Sequence, residues 1–95
     1  MRMRFTSPIP GVESLPRLRA VLGDVLGIEP GSAHLHLDLA EALACDERDR
    51  SEVIHVMDRR FGIPIRDAEA EACESVADLL RLVAAKHAEL RPAHA

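Results

Sequence analysis

Asp46-Glu47-Arg48-Asp49-Arg50-Ser51-Glu52-Val53-Ile54-His55-Val56-Met57-Asp58-Arg59-Arg60-Phe61-Gly62 is the stretch that decides the fold. Val53, Ile54, Met57 and Phe61 recur at spacings of one, three and four, which is the apolar stripe of a single helix face. Asp46 precedes that stripe as an N-cap. Asp49, three positions on, is a shorter version of the capping-box carboxylate. Gly62 ends the helix, because the residue after a last turn often needs positive φ. Ile63-Pro64-Ile65 then reads as an extended linker, since the residue before proline avoids helix.

Upstream, Leu15, Leu18, Leu22, Val25 and Leu26 repeat at helical spacing, and Val21 widens the stripe. Ser14 is the expected cap, Gly27 the stop, and Ile28 folds back onto the helix end. Glu29-Pro30-Gly31-Ser32 is a turn by residue type. Ala33 to Cys45 is ambiguous: Leu35, Leu37 and Leu39 alternate as in a strand, whereas Asp38 to Ala44 suits a helical turn. A lone strand has nothing to pair with. The expectation is a long structured loop with some helix, its leucines plugging the core.

Downstream, Asp67 to Ala72 suits one or two helical turns. Ser75 with Asp78 forms the next capping box. Val76, Leu79, Leu80 and Val83 mark a last helix, continued by Ala84 and His87 and ended by Arg91-Pro92. Pro8, Pro10 and Gly11 block helix near the start. The chain therefore divides into an irregular lead-in at 1–13, one helical domain at 14–91 and a frayed tail at 92–95.

Composition agrees with one aliphatic domain. The 95 residues are 47% hydrophobic, with no Trp, no Tyr and two Phe, so Leu, Val, Ile, Ala and Met must make the core. Leu, Ala, Arg and Glu favour helix. A net charge of −4, with no basic stripe interleaved with aromatics, argues against nucleic acid as a partner. No apolar run approaches the roughly 18 residues of a membrane span. Met1-Arg2-Met3-Arg4-Phe5 is basic, but no apolar run follows it, so it does not read as a secretory signal. Two cysteines are too few for a disulfide framework. The expectation is a reduced, cytoplasmic monomer, with more than half of its residues helical.

The layout and these particular residues resemble the acyl carrier protein family. Leu18-Arg19-Ala20-Val21-Leu22-Gly23-Asp24-Val25-Leu26-Gly27-Ile28 is similar to the family's first helix and the Leu-Gly-aliphatic that closes it. Pro30 falls where the family often has proline. Phe61-Gly62-Ile63-Pro64-Ile65 resembles the end of the second helix and its Ile-Pro linker, with the proline earlier than usual. Asp67, Glu69 and Glu71 look like the acidic third helix, and Ser75-Val76-Ala77-Asp78-Leu79-Leu80 like the start of the last. The resemblance runs from about Leu15 to His87 without gaps. It implies an all-α, up-down four-helix bundle of the acyl-carrier-protein type, with a long first loop and a short third helix.

The family's hallmark is Asp-Ser-Leu at the head of the second helix, whose serine accepts 4′-phosphopantetheine. Counted in register, that triplet is Asp46-Glu47-Arg48 here. A carboxylate has no hydroxyl to form the phosphodiester, so a shared fold does not carry the chemistry with it. Glu47 reads either as a favourable first-turn acid, worth about 0.3–1 kcal/mol against the helix dipole, or as a contact to a basic partner. A catalytic Glu47 lacks a pocket and a second group. Ser51, one turn on, falls where the family has an apolar residue and reads as a small space-filler.

The family's second helix is acidic and docks on basic enzymes. Here Asp46, Glu47, Asp49, Glu52 and Asp58 are interrupted by Arg48, Arg50, Arg59 and Arg60, and His55 stands where a partner-facing methionine is common. One reading is a solvated face laced with i,i+4 pairs, Glu52 among them. The other is a changed partner set that meets Asp46, Arg48, Asp49, Glu52, His55 and Arg59. His34, His36 and His55 lack a fourth ligand at a known spacing, so no metal is expected. Cys45 near a helix start is either a reactive thiol or a small core residue, and Cys73 reads as core. The resemblance thus implies a non-enzymatic binding module beside fatty-acid or polyketide biosynthetic enzymes, without cofactor. The alternative is a true acyl or peptidyl carrier with unusual 4′-phosphopantetheine attachment or a lost serine.

Overall fold

The computed structural model describes residues 11–41 and 44–90. Four α-helices make the bundle: α1 (Leu15–Leu26), α2 (Glu47–Phe61), the five-residue α3 (Asp67–Glu71) and α4 (Val76–Leu90). Among the described residues there is no strand, only a single bridge between Asp38 and Ser75. The expected all-α four-helix architecture is the observed one. The lead-in before Gly11 and the tail after Leu90 lie outside the described residues.

One apolar cluster holds the bundle together. Leu18, Val21 and Leu22 of α1 meet Val53, Ile54, Met57 and Phe61 of α2 and Val76, Leu79, Leu80 and Val83 of α4, all of them buried. These are the stripes that the sequence spacing marks. Gly27 and Gly62 close α1 and α2 at φ of 71° and 65°, where a side chain would be strained.

Three expectations differ from the structure. Ser14 does precede α1, but its side chain makes no cap hydrogen bond. Val12–Ser14 instead form a 3-10 turn, with the Ser14 N–H donating to the Gly11 carbonyl at 2.8 Å. Val12 and Glu13 of the expected irregular lead-in thus lie in a regular turn, and Gly11 sits so close to α4 that an added Cβ would lie 2.6 Å from the Leu80 carbonyl oxygen. The third difference is the Ala33–Cys45 segment, whose described residues hold no helix.

That loop earns its order by other means. The N–H groups of Val76 and Ala77 donate to the carbonyls of Leu37 and Leu35, at 3.2 and 2.7 Å, and the Leu39 N–H donates to the Glu74 carbonyl at 2.8 Å. The loop thus satisfies orphan donors at the start of α4, a helix end that would otherwise be buried unpaired. Leu39 plugs the core at 1% exposure, as expected, while Leu35 and Leu37 are half-buried against it.

Lys86 of α4 is the one charged side chain inside the described bundle, 4% exposed and paired with Glu69 of α3 at 2.6 Å. A buried ammonium persists only when paired, so this ion pair fastens α3 to α4. Glu69 Oε1 also accepts the Arg66 N–H at 2.9 Å. The Lys86 hydrogen bond, above all, holds the Glu69 carboxyl below its ordinary range.

Candidate functional site

The head of α2 is built by its cap. The Asp49 N–H donates to Asp46 Oδ1 at 2.8 Å, and the Asp46 N–H donates to Asp49 Oδ2 at 3.4 Å. This reciprocal box fixes Glu47 as the first residue of α2, with its side chain exposed. Glu47 belongs to no ion pair among the described residues.

Between α2 and α3 lies an open cleft of about 420 Å³. Glu47, Arg50, Ser51, Ile54 and His55 line it from α2. Ile65, Asp67, Ala70 and Glu71 line it from the linker and α3. Arg50 is the residue that sequence reasoning missed: its Nε is inaccessible and has no hydrogen-bond partner. A buried unpaired donor is unfavourable by about 1–3 kcal/mol. Its spacing of three from Glu47 was the available signal, since i and i+3 share a helix face.

Of the six residues named for partner contact, Arg48, Glu52, His55 and Arg59 run down one exposed stripe at spacings of four, three and four. Asp46 and Asp49 stand apart from that stripe in role, because their carboxylates are spent on the cap. The expected i,i+4 lacing of α2 is not found among the described residues. Arg60 pairs instead across to Asp24 of α1 at 2.7 Å, and Asp58 accepts the Ile65 N–H at 3.1 Å. Competing partners off the helix draw these side chains away from their own turns.

The cysteines are core groups. Cys45 and Cys73 are free and buried. Burial raises the Cys45 thiol above its ordinary value, with Asp49 adding to the rise, and pushes Cys73 up to about 11. A thiol so disfavoured as thiolate is a weak nucleophile, so the reactive reading of Cys45 gives way to the core reading. Among the described residues no group of three or more His, Cys, Asp or Glu is placed to hold a metal ion, and no helix is long and apolar enough to cross a membrane.

The sequence profile of the family described as "Phosphopantetheine attachment site" matches residues 16–83. That span runs from the second residue of α1 well into α4, and it includes the head of α2. The chain belongs to the acyl carrier protein family. It is 33% identical to an acyl carrier protein of Thermosynechococcus vestitus over 71 residues, covering 75% of this chain and 88% of that protein. It is 29% identical to one of Phaeodactylum tricornutum, covering 72% of this chain and 90% of that protein. With an acyl carrier protein of Akkermansia muciniphila it shares 30% identity, over 70% and 84% of the two chains. The family match spans α2 and α3 and most of α1 in this carrier-family protein and ends within α4, and inside that span the residue after the α2 cap is Glu47.

Proposed function

We propose that this carrier-family protein is a non-enzymatic docking module without 4′-phosphopantetheine, acting through α2 on a protein of fatty-acid or polyketide biosynthesis. The observation that carries this reading is Glu47 itself. The capping box makes Glu47 the first residue of α2, which supports the register counted from the flanking segments, and that residue offers a carboxylate. The prosthetic group is held through a phosphodiester, which needs a hydroxyl, and an exposed carboxylate repels a phosphate besides. The residue present does not fit the group. The exposed stripe of Arg48, Glu52, His55 and Arg59 supplies the docking contacts, with mixed charge in place of the family's acidic helix. The protein works as a monomer in the cytoplasm.

A second reading has one observation in its favour. Ser51 is exposed and lines the same cleft as Glu47, so a hydroxyl is within reach of that surface, one turn from the family position. Intact mass separates the two. Incubated with a broad-specificity phosphopantetheinyl transferase and coenzyme A, the unmutated protein is expected to gain no mass. Glu47→Ser alone is expected to be modified poorly, because Arg48 puts a guanidinium where the family has an apolar leucine. Glu47→Ser with Arg48→Leu is expected to be modified faster. Efficient labelling of the unmutated protein overturns the proposal, and loss of that labelling in Ser51→Ala assigns the site to Ser51. Reversal of Arg48 and Arg59 to glutamate is expected to weaken capture of a condensing enzyme, and rising salt to weaken it further.

A further inference from the structure

The far end of α2 carries a surface that shares only Arg59 with the docking stripe and reaches across to α1. Arg60 lines two adjoining depressions there, one of about 370 Å³ with Val56 and Arg59, the other of about 290 Å³ with Arg17, Ala20 and Phe61. Arg17 reaches across from α1. Its guanidinium lies 4.5 Å from the centre of the Phe61 ring, and its Nη2 donates to the Arg60 carbonyl at 2.7 Å. The three guanidinium groups thus form one patch on a chain whose net charge is −4.

The patch is not neutralised from within. All sixteen Asp and Glu of the chain fall in the described residues. Only Asp24 pairs with any of these three arginines, through Arg60. Arg17 and Arg59 are exposed and have no carboxylate within 4 Å among the described residues. Helix-dipole compensation accounts for Arg59 and Arg60 in the last turn of α2. It does not account for Arg17, which sits in the first turn of α1, the end that disfavours a cation. Stacking on Phe61 and the hydrogen bond to Arg60 hold that guanidinium in place, so little side-chain entropy remains to be lost when it meets an anion.

We infer that Arg17, Arg59 and Arg60, with half-buried Val56 between them, form a second docking surface for a protein partner that presents a carboxylate cluster beside an apolar side chain. Charge complementarity chooses this occupant: three guanidinium groups against one internal carboxylate leave a net positive face. Carboxylates suit guanidinium forks in bidentate geometry, and the Val56 hollow takes an aliphatic tip. This surface lies at the opposite end of α2 from Glu47 and does not depend on what Glu47 does.

The test uses the full chain, labelled with nitrogen-15, titrated with a synthetic peptide of repeated Glu-Glu-Leu. Amide shifts are expected to cluster at Arg17–Ala20 and Val56–Phe61 and to fade as salt rises. Arg59 has no ion-pair partner among the described residues, so Arg59→Glu is expected to fold normally and to weaken binding several-fold. Arg17→Glu with Arg59→Glu is expected to weaken it by more than about tenfold. Shifts centred on Arg48 or Arg50, no binding at low salt, or binding indifferent to both reversals each overturn the inference. So does binding to phosphatidylglycerol vesicles with none to the peptide, which would make the patch a membrane contact. Arg48→Glu is expected to leave the titration unchanged, which separates this surface from the stripe of the proposed function.

Discussion

Phe61→Ala tests the junction on which both surfaces depend. Phe61 is 7% exposed, inside the cluster that joins α1, α2 and α4. An aromatic side chain buries about 150–250 Å², and Phe is at the low end, so area alone gives about 4 kcal/mol at 25 cal/mol per Å². Measured Phe→Ala truncations fall at about 3–5 kcal/mol. The ring also carries Arg17 over its face and meets the His87 ring edge-on, with centroids 6.3 Å apart. Stacking at so exposed a guanidinium adds about 0.5–1 kcal/mol. Phe61→Ala is therefore expected to cost about 4–5 kcal/mol, and Phe61→Leu, which keeps most of the volume, about 1–1.5 kcal/mol. Urea unfolding followed by circular dichroism at 222 nm reads both, provided the slope against urea stays constant. A double-mutant cycle with Arg17→Ala should return a coupling of about 0.5–1 kcal/mol. A loss under about 1 kcal/mol for Phe61→Ala would refute the placement of this ring in the core. Zero coupling would refute the stacked geometry of Arg17.

Acid should loosen the α3–α4 end first. Glu69 is held below its ordinary pKa chiefly by the Lys86 hydrogen bond, and Asp78 chiefly by the Glu74 backbone N–H. A depressed carboxyl stabilises the fold above its unfolded pKa, 4.5 for Glu69 and 3.8 for Asp78, and loses that contribution as pH falls through the folded value. The urea midpoint should thus fall progressively as pH drops below about 5. Glu69→Gln and Asp78→Asn should each flatten the profile, and an unchanged profile in both would discount these two groups. The thiols offer a separate check. Iodoacetamide at pH 8 should modify Cys45 and Cys73 far more slowly in the folded protein than in urea, and rapid labelling of either under native conditions would place it outside the core.

Much of this fold was legible because its signals are local. The α2 cap lies within four residues, Asp46 to Asp49, and the apolar stripes of α1, α2 and α4 each repeat within one helix. What escaped was set by contacts across the chain. The Ala33–Cys45 loop alternates like a strand because three of its backbone groups do pair, but with the start of α4, some forty residues away. Lys86 in a late helical turn has the sequence signature of a solvated cation, and only Glu69, folded over it from α3, makes burial tolerable. The Arg17–Phe61 contact joins positions far apart in the chain, and no spacing rule reaches it. At the candidate site the stripe of Arg48, Glu52, His55 and Arg59 was visible from helical periodicity. The buried Arg50 Nε was not, because burial there depends on how the neighbouring elements close over α2.

Asp46 and Glu47 are adjacent, yet the fold constrains them unequally. Asp46 accepts the Asp49 N–H, a bond whose loss costs about 0.5–2 kcal/mol, so helix stability alone favours keeping an aspartate there. Position 47 is exposed and makes no contact on which the core depends. In the first turn of α2 a glutamate suits the helix dipole, worth about 0.3–1 kcal/mol. Nothing in the packing holds a serine at this position; only the chemistry of attachment would. On the proposed reading, release from that chemistry leaves the bundle, its cap and its register intact while the residue at the head of α2 changes to one the helix itself prefers. The same logic predicts the kind of damage. Asp46→Ala should destabilise the domain by about 0.5–2 kcal/mol, whereas Glu47→Ser should lose only the dipole interaction, about 0.3–1 kcal/mol, and high salt should screen that loss away. A Glu47→Ser loss that persists at high salt would mean that Glu47 is bound into the structure, and the argument that it is free to serve as a docking group would fail.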